Sequence, residues 1–142
     1  MKKPLGIRVV LFLPIAAAFV LECLPWGAVC VFSPGPDETL RQTFSYFDPV
    51  PFGYANFAPL ITGLFTVLLL AFGIAQLGSP NPNRQRTVGM LAAVGAVLSV
   101  CPVFLGLRFY SVTGGAITLL LTITAVLHLW TRPEKTDAGT KE

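Results

Sequence analysis

Residues 57–77 read FAPLITGLFTVLLLAFGIAQL, with no Asp, Glu, Lys or Arg at any position. A helix rising about 1.5 Å per residue needs about 20 such residues to cross the hydrocarbon core of a bilayer. Three further runs are long and apolar enough for the same crossing: Leu5–Trp26, Val88–Leu107 and Val112–Trp130. Only the first holds any Asp, Glu, Lys or Arg, with Arg8 near its start and Glu22 near its end. Backbone polar groups in lipid must pair within their own segment, so all four runs are expected to be helices.

Composition agrees. The 142-residue chain is 54% hydrophobic and only 12% charged, where a soluble domain has about a quarter of its residues charged. So few charges could not cover a water-facing surface of this size. The expected fold is therefore all-α, a polytopic membrane protein built as a four-transmembrane-helix bundle over residues 1–131. Residues 132–142 form a polar tail.

Lys2, Lys3, Arg8, Arg84, Arg86, Arg132, Lys135 and Lys141 fall on one side of four crossings, and Arg41 and Arg108 on the other. The positive-inside bias then makes both termini cytoplasmic and residues 31–56 an outer loop. The expected location is a cell membrane, crossed several times, with a bacterial cytoplasmic membrane the favoured case. The first run has the basic start and apolar body of a signal peptide. Glu22 before Cys23 and Val29 before Cys30 spoil a cleavage site, so an uncleaved helix is expected.

The segment before the 57–77 run holds six aromatics between Phe44 and Phe57, interleaved with Pro49 and Pro51. Phe44, Tyr46, Phe47, Phe52, Tyr54 and Phe57, with Trp26, are read as an aromatic belt at the headgroup level. The prolines discourage helix there. Asn56 is expected to cap the second helix, with Pro59 in its first turn, and Thr87 to cap the third. Pro14 and Pro102 are expected to kink their helices.

On the third helix Gly89/Ala93, Ala92/Ala96 and Gly95/Ser99 lie four apart, a small-residue spacing that lets helices approach closely in lipid. This face is expected at the centre of the bundle or in a dimer. Arg8–Cys23 and Arg86–Cys101 align as a weak repeat, followed by Thr62/Thr66 and Thr118/Thr122.

The candidate polar cluster is Glu22, Arg41, Asp48 and Arg108, all expected at the outer face. Glu22 is the most unusual member, because an intramembrane acid is a functional flag. Arg108 or Arg41 is its expected partner, and loss of that pair in Glu22→Gln would loosen the bundle. Asp48 before Pro49 suits a turn. His128, at the inner end of the last helix, is expected to face headgroups, far from any carboxylate. Cys23, Cys30 and Cys101 form no Cys-x-x-Cys motif, so they are read as buried free thiols, with no metal and no cofactor expected. There is no phosphate-binding glycine loop, no nucleophile triad and no nucleic-acid surface.

The leading expectation is a non-enzymatic subunit or scaffold that binds another membrane protein or itself, with membrane lipid around it. Transport of ions or small solutes by an oligomer, and lipid-headgroup chemistry by the polar cluster, are the alternatives.

Overall fold

The computed structural model describes residues 4–54 and 56–131. Lys2, Lys3 and the tail 132–142, with Arg132, Lys135 and Lys141, lie outside the described residues. The elements are α1 (Leu5–Cys23), β1 (Ala28–Gly35), β2 (Glu38–Phe44), α2 (Pro49–Gly53), α3 (Ala58–Gly78), α4 (Pro82–Val100) and α5 (Val112–Trp130). Two 3₁₀ turns, Cys101–Leu105 and Leu107–Phe109, join α4 to α5. Four helices are long and apolar enough to cross a membrane.

Helix ends follow local chemistry more than hydropathy. Leu24 precedes Pro25 and is extended, at φ −75° and ψ 145°, because the proline ring disfavours helix in the residue before it. The first helix thus stops three residues short of Trp26. Asn81 Oδ1 accepts from the Asn83 amide at 2.9 Å and Pro82 takes the first helical position, where its missing N–H does no harm. The third helix therefore begins at Pro82, six residues before the expected Val88. Thr87 is no cap; its hydroxyl donates to the Asn83 carbonyl, one turn back. At its far end this helix tightens into 3₁₀ geometry at Pro102 and stops at Gly106, whose φ of +125° suits only glycine.

Pairwise hydrogen bonds fix an up-down-up-down arrangement. The Arg8 guanidinium donates to the Leu77 carbonyl, joining the start of α1 to the end of α3. Gln85 Nε2 donates to the His128 carbonyl at 3.1 Å, joining the start of α4 to the end of α5. Around the bundle the order is α1–α3–α4–α5, with α1 also beside α5. Buried positions recur at three- and four-residue steps: Leu11, Ile15, Ala18 and Glu22 on α1; Thr62, Thr66, Leu69, Gly73 and Gln76 on α3; Gln85, Val88, Ala92, Gly95 and Ser99 on α4; Ile117, Leu121, Ala125 and His128 on α5. Ile15, Leu69, Val88, Ile117 and Leu121 meet at the centre with no exposure. The outward stripes stay apolar, with Val10, Leu13, Leu64, Ile74 and Val97 exposed.

The small-residue stripe is turned inward. A Cβ on Gly89 would stand 2.7 Å from Leu129 Cδ2 and 2.8 Å from its Cγ. Gly95 lies against Leu121, Ala92 and Ser99 are buried, and Ala93 and Ala96 are half-buried. The close approach expected of this face is made to α5 of the same chain.

The purely α-helical expectation needs one correction. Residues 28–44 form an antiparallel hairpin, pairing Ala28 with Phe44, Cys30 with Gln42 and Gly35 with Glu38, with a bulge between Phe32 and Gly35. β-Branched Val29, Val31, Thr39 and Thr43 suit a pleated strand, and Pro36 sits where its fixed φ favours a turn. Ala28, Val29 and Cys30 are buried under α2 and the 107–109 turn, whereas Glu38–Gln42 are exposed. The hairpin, α2 and the 3₁₀ turns together form a small head at the end of the bundle remote from the Pro80 turn.

Overpacking the α4–α5 contact should be costly. Gly89→Val is expected to remove about 1–3 kcal/mol of stability and lower the melting temperature in detergent. Gly78→Ala, where a Cβ meets nothing within 4 Å, should match the parent.

Candidate functional site

The polar side chains gather at the head end of the bundle. Each of the four long helices contributes one or two: Glu22 from α1, Thr62 and Thr66 from α3, Ser99 from α4 and Thr118 from α5. Above them sits Tyr46, buried to 2% exposure. Its position is set by its amide, which donates to the Glu22 main-chain carbonyl at 2.9 Å. Gly27 lies directly against the Tyr46 ring.

Glu22 has no solvent exposure. Its Oε1 accepts from the Thr66 hydroxyl at 2.8 Å, and that hydroxyl also contacts the Thr62 carbonyl at 3.2 Å. Its Oε2 has no hydrogen-bond partner, and neither has the buried Thr62 hydroxyl. A second chain of polar contacts runs beside the first. The Tyr46 hydroxyl lies 3.4 Å from Ser99 Oγ, Thr118 donates to Ser99 at 2.9 Å, and Tyr110 and Thr118 hydroxyls lie 2.8 Å apart. Burial pushes the Tyr46 phenol above its ordinary range, and the Ser99 contact acts the other way. Tyr46 therefore stays neutral at physiological pH.

The expected polar cluster is divided. Glu22 faces Thr66, and among the described residues no ion pair reaches it. The reason is level and direction: Glu22 is the last buried position of the α1 stripe and points into the bundle, while both arginines belong to the exposed head. Arg41 crosses from β2 to the 3₁₀ segment, donating to the carbonyls of Arg108 at 3.1 Å and Tyr110 at 3.2 Å. Arg41 and Arg108 thus meet through a main-chain carbonyl, and the Arg108 side chain is exposed. Asp48 caps α2, accepting from the Val50 amide at 2.9 Å, which is the turn role its place before Pro49 suggested.

Other expectations separate similarly. Trp26, Phe52, Tyr54 and Phe57 are exposed, but Phe44 and Phe47 are half-buried and Tyr46 fully so. Phe47 packs edge-on against Phe19 at 5.7 Å between ring centres, over Gly63. Asn56 does not cap α3; its Nδ2 donates to the Val29 carbonyl at 3.2 Å, tying β1 to the start of α3. His128 does not face headgroups: it is 2% exposed, with Nδ1 against the Thr124 carbonyl at 3.0 Å. Cys23, Cys30 and Cys101 are free thiols, but only Cys30 is buried. Burial, with the nearby Asp48 charge adding to it, pushes the Cys30 thiol up and keeps it protonated. The two Thr-x-x-x-Thr pairs differ in setting: Thr62 and Thr66 are buried, Thr118 is half-buried and Thr122 exposed.

No known protein family, curated protein or solved structure matches this chain. The site is therefore characterised by its own chemistry. It is a closed polar layer with a neutral phenol as roof, one carboxyl group, and hydroxyls from three helices.

Sequence reasoning missed Ser111. Its hydroxyl accepts from the Gly114 amide at 2.8 Å, capping α5, and donates to the Gly27 carbonyl at 2.6 Å. A serine directly before the apolar run is the signal that was available. Ser111→Ala should cost about 0.5–2 kcal/mol, read as a lowered melting temperature. Thr66→Val, which strips Glu22 Oε1 of its donor, should cost about 1–3 kcal/mol.

Proposed function

We propose that this chain is a small integral membrane protein of four spans, with the Pro80 turn and both termini in the cytoplasm and the head outside. We further propose that it serves as a non-enzymatic subunit or scaffold whose head docks another membrane protein. The insertion rests on the apolar outward stripes and on charge. Among the described residues, Arg8, Arg84 and Arg86 lie at the Pro80 end and Arg41 and Arg108 in the head, which fits the positive-inside bias.

One observation carries the docking role. The small-residue face that would suit a helix partner is already occupied by α5, whereas β2 is exposed and unpaired along its outer edge among the described residues. An open strand edge accepts an added strand through main-chain hydrogen bonds. Leu40 at 51%, Trp26 at 59% and Tyr54 at 63% exposure place apolar anchors on the same head. Charged Glu38 and Arg41 bracket Thr39 and Leu40 along the strand, which would set register with a partner.

The separation of Glu22, Arg41 and Asp48, each held by a local partner, supports the non-enzymatic reading over headgroup chemistry, which needs convergent groups. The apolar plug of Ile15, Leu69, Val88, Ile117 and Leu121 supports it over transport through a single bundle, which needs polar groups at mid-membrane.

Photo-crosslinking in intact membranes tests the docking role. A crosslinking residue at Leu40 should yield one discrete protein adduct, and the same residue at lipid-facing Leu64 should not. Adducts from Leu40 confined to lipid would contradict the proposal.

A further inference from the structure

The Glu22 pocket poses a problem of charge. A carboxylate withdrawn from water needs either a cation or several hydrogen-bond donors; without them its burial costs several kcal/mol or more. Glu22 is fully buried, and among the described residues it has no ion pair and one donor, the Thr66 hydroxyl. The titratable side chains around it offer no remedy. The facing stretch of α3, residues 58–70, and the adjacent stretch of α5, residues 112–122, hold no acidic, basic or other titratable residue. Cys23, next on α1, is exposed. The roof offers only Tyr46, a neutral phenol, with Tyr110 behind Ser99 and Thr118. Arg41 is engaged with main-chain carbonyls, and Asp48 would add charge of the same sign.

Thr62 supplies a second, independent observation. Thr87, Thr122 and Thr124 donate to the carbonyl four residues back on their own helix, and the Thr66 and Thr118 hydroxyls, whose protons go to Glu22 and Ser99, lie within 3.2 Å of theirs. That local bond is the usual way to satisfy a hydroxyl in an apolar helix. Thr62 makes no such bond although it has no exposure. It lies one turn from Thr66 on the stripe that meets Glu22. Two buried oxygens, Glu22 Oε2 and Thr62 Oγ1, are therefore left over on facing elements, and they are not bonded to each other.

We infer that Glu22, Thr62 and Thr66 form a binding site for an exchangeable proton and one water molecule. Glu22 is the neutral acid: Oε1 is its carbonyl oxygen, accepting from Thr66, and Oε2 carries the proton. The Oε2–H group donates to the water, and the water bridges to the Thr62 hydroxyl. This arrangement satisfies both leftover atoms and removes the buried charge. It matches a donor on Oε1 and none on Oε2, the oxygen left to donate. A metal cation is a poorer occupant, since such ions take about six oxygen ligands and the pocket presents few.

The site is linked to the head through the main chain, because the Glu22 carbonyl holds the Tyr46 amide. Loss of the proton to bulk water leaves an uncompensated carboxylate beneath Tyr46, so the roof should loosen as pH rises. This places a proton-sensitive joint between the bundle and the head, whichever partner the head takes.

Infrared difference spectroscopy of the parent against Glu22→Gln, in lipid at neutral pH, tests the assignment. The expected result is a protonated-carboxyl carbonyl band in the parent that Glu22→Gln lacks. Thr62→Val should keep this band but move it to higher frequency, through loss of a hydrogen-bonding partner. On raising the pH, the parent should lose melting temperature relative to Glu22→Gln. Carboxylate bands alone in the parent would overturn the inference. So would an acid band that appears only when sodium is withdrawn, since a metal cation would then fill the site.

Discussion

Polar groups on helices surrounded by hydrocarbon can be satisfied only by one another. In the proposed membrane setting, that constraint organises the described chain from end to end. Toward the Pro80 turn, the carbonyls at and just past the end of α3 take side-chain donors. Arg8 takes that of Leu77, and Arg84 takes those of Ala75 and Ser79, at 2.8 Å each. Cations at a helix C-terminus also complement its dipole. Gln85 does the same for α5 through the His128 carbonyl. At the head end, Glu22, Thr66, Ser99 and Thr118 pair across helices. Between these two polar layers the interior is apolar except for Thr124, whose hydroxyl donates to the Leu120 carbonyl.

The layers also explain how a two-stranded hairpin persists. An isolated hairpin is marginal in water. Here Asn56 holds β1, Arg41 holds the 108–110 segment to β2, and Ser111 ties the start of α5 to Gly27. The Asn56 and Ser111 bonds join the head to the start of a long helix, and the Arg41 bonds tie two parts of the head together. The head is thus an extension of the bundle, and its first strand is buried where its second is free. Small residues on α4 serve the same economy: they bring α5 close enough for Gln85 and Ser99 to reach their partners.

The four long apolar helices were legible because hydropathy over about 20 residues is a strong, local signal. Their ends were less so. A run of apolar residues stops being apolar at Arg84–Thr87, but the helix continues back to Pro82 because Asn81 caps it. The hairpin was obscured by its own aromatics, which read as a headgroup belt. Alternation at Val29 and Val31 and the Pro36–Asp37 turn were present but short. Glu22 stood out as an acid in an apolar helix, and Thr62/Thr66 as a spaced pair. Nothing in the order of residues says that α3 would present those threonines to α1. Charge intuition favoured an arginine, whereas burial geometry delivered a hydroxyl. His128 likewise looked like a helix-end residue, and only the packing of α4 against α5 puts it inside.

Four hairpinned helices that cross a bilayer must place the hairpin head and the Pro80 turn on opposite sides of it. Accessibility of single introduced cysteines, at Asp37 in the hairpin tip and at Asn83 beside the Pro80 turn, measures this directly with a membrane-impermeant thiol reagent, in a background whose native cysteines are replaced by serine or alanine. The expected result is labelling of the Asp37 position in intact cells and of the Asn83 position only after the membrane is opened. Labelling of both positions from the same side would contradict the claim.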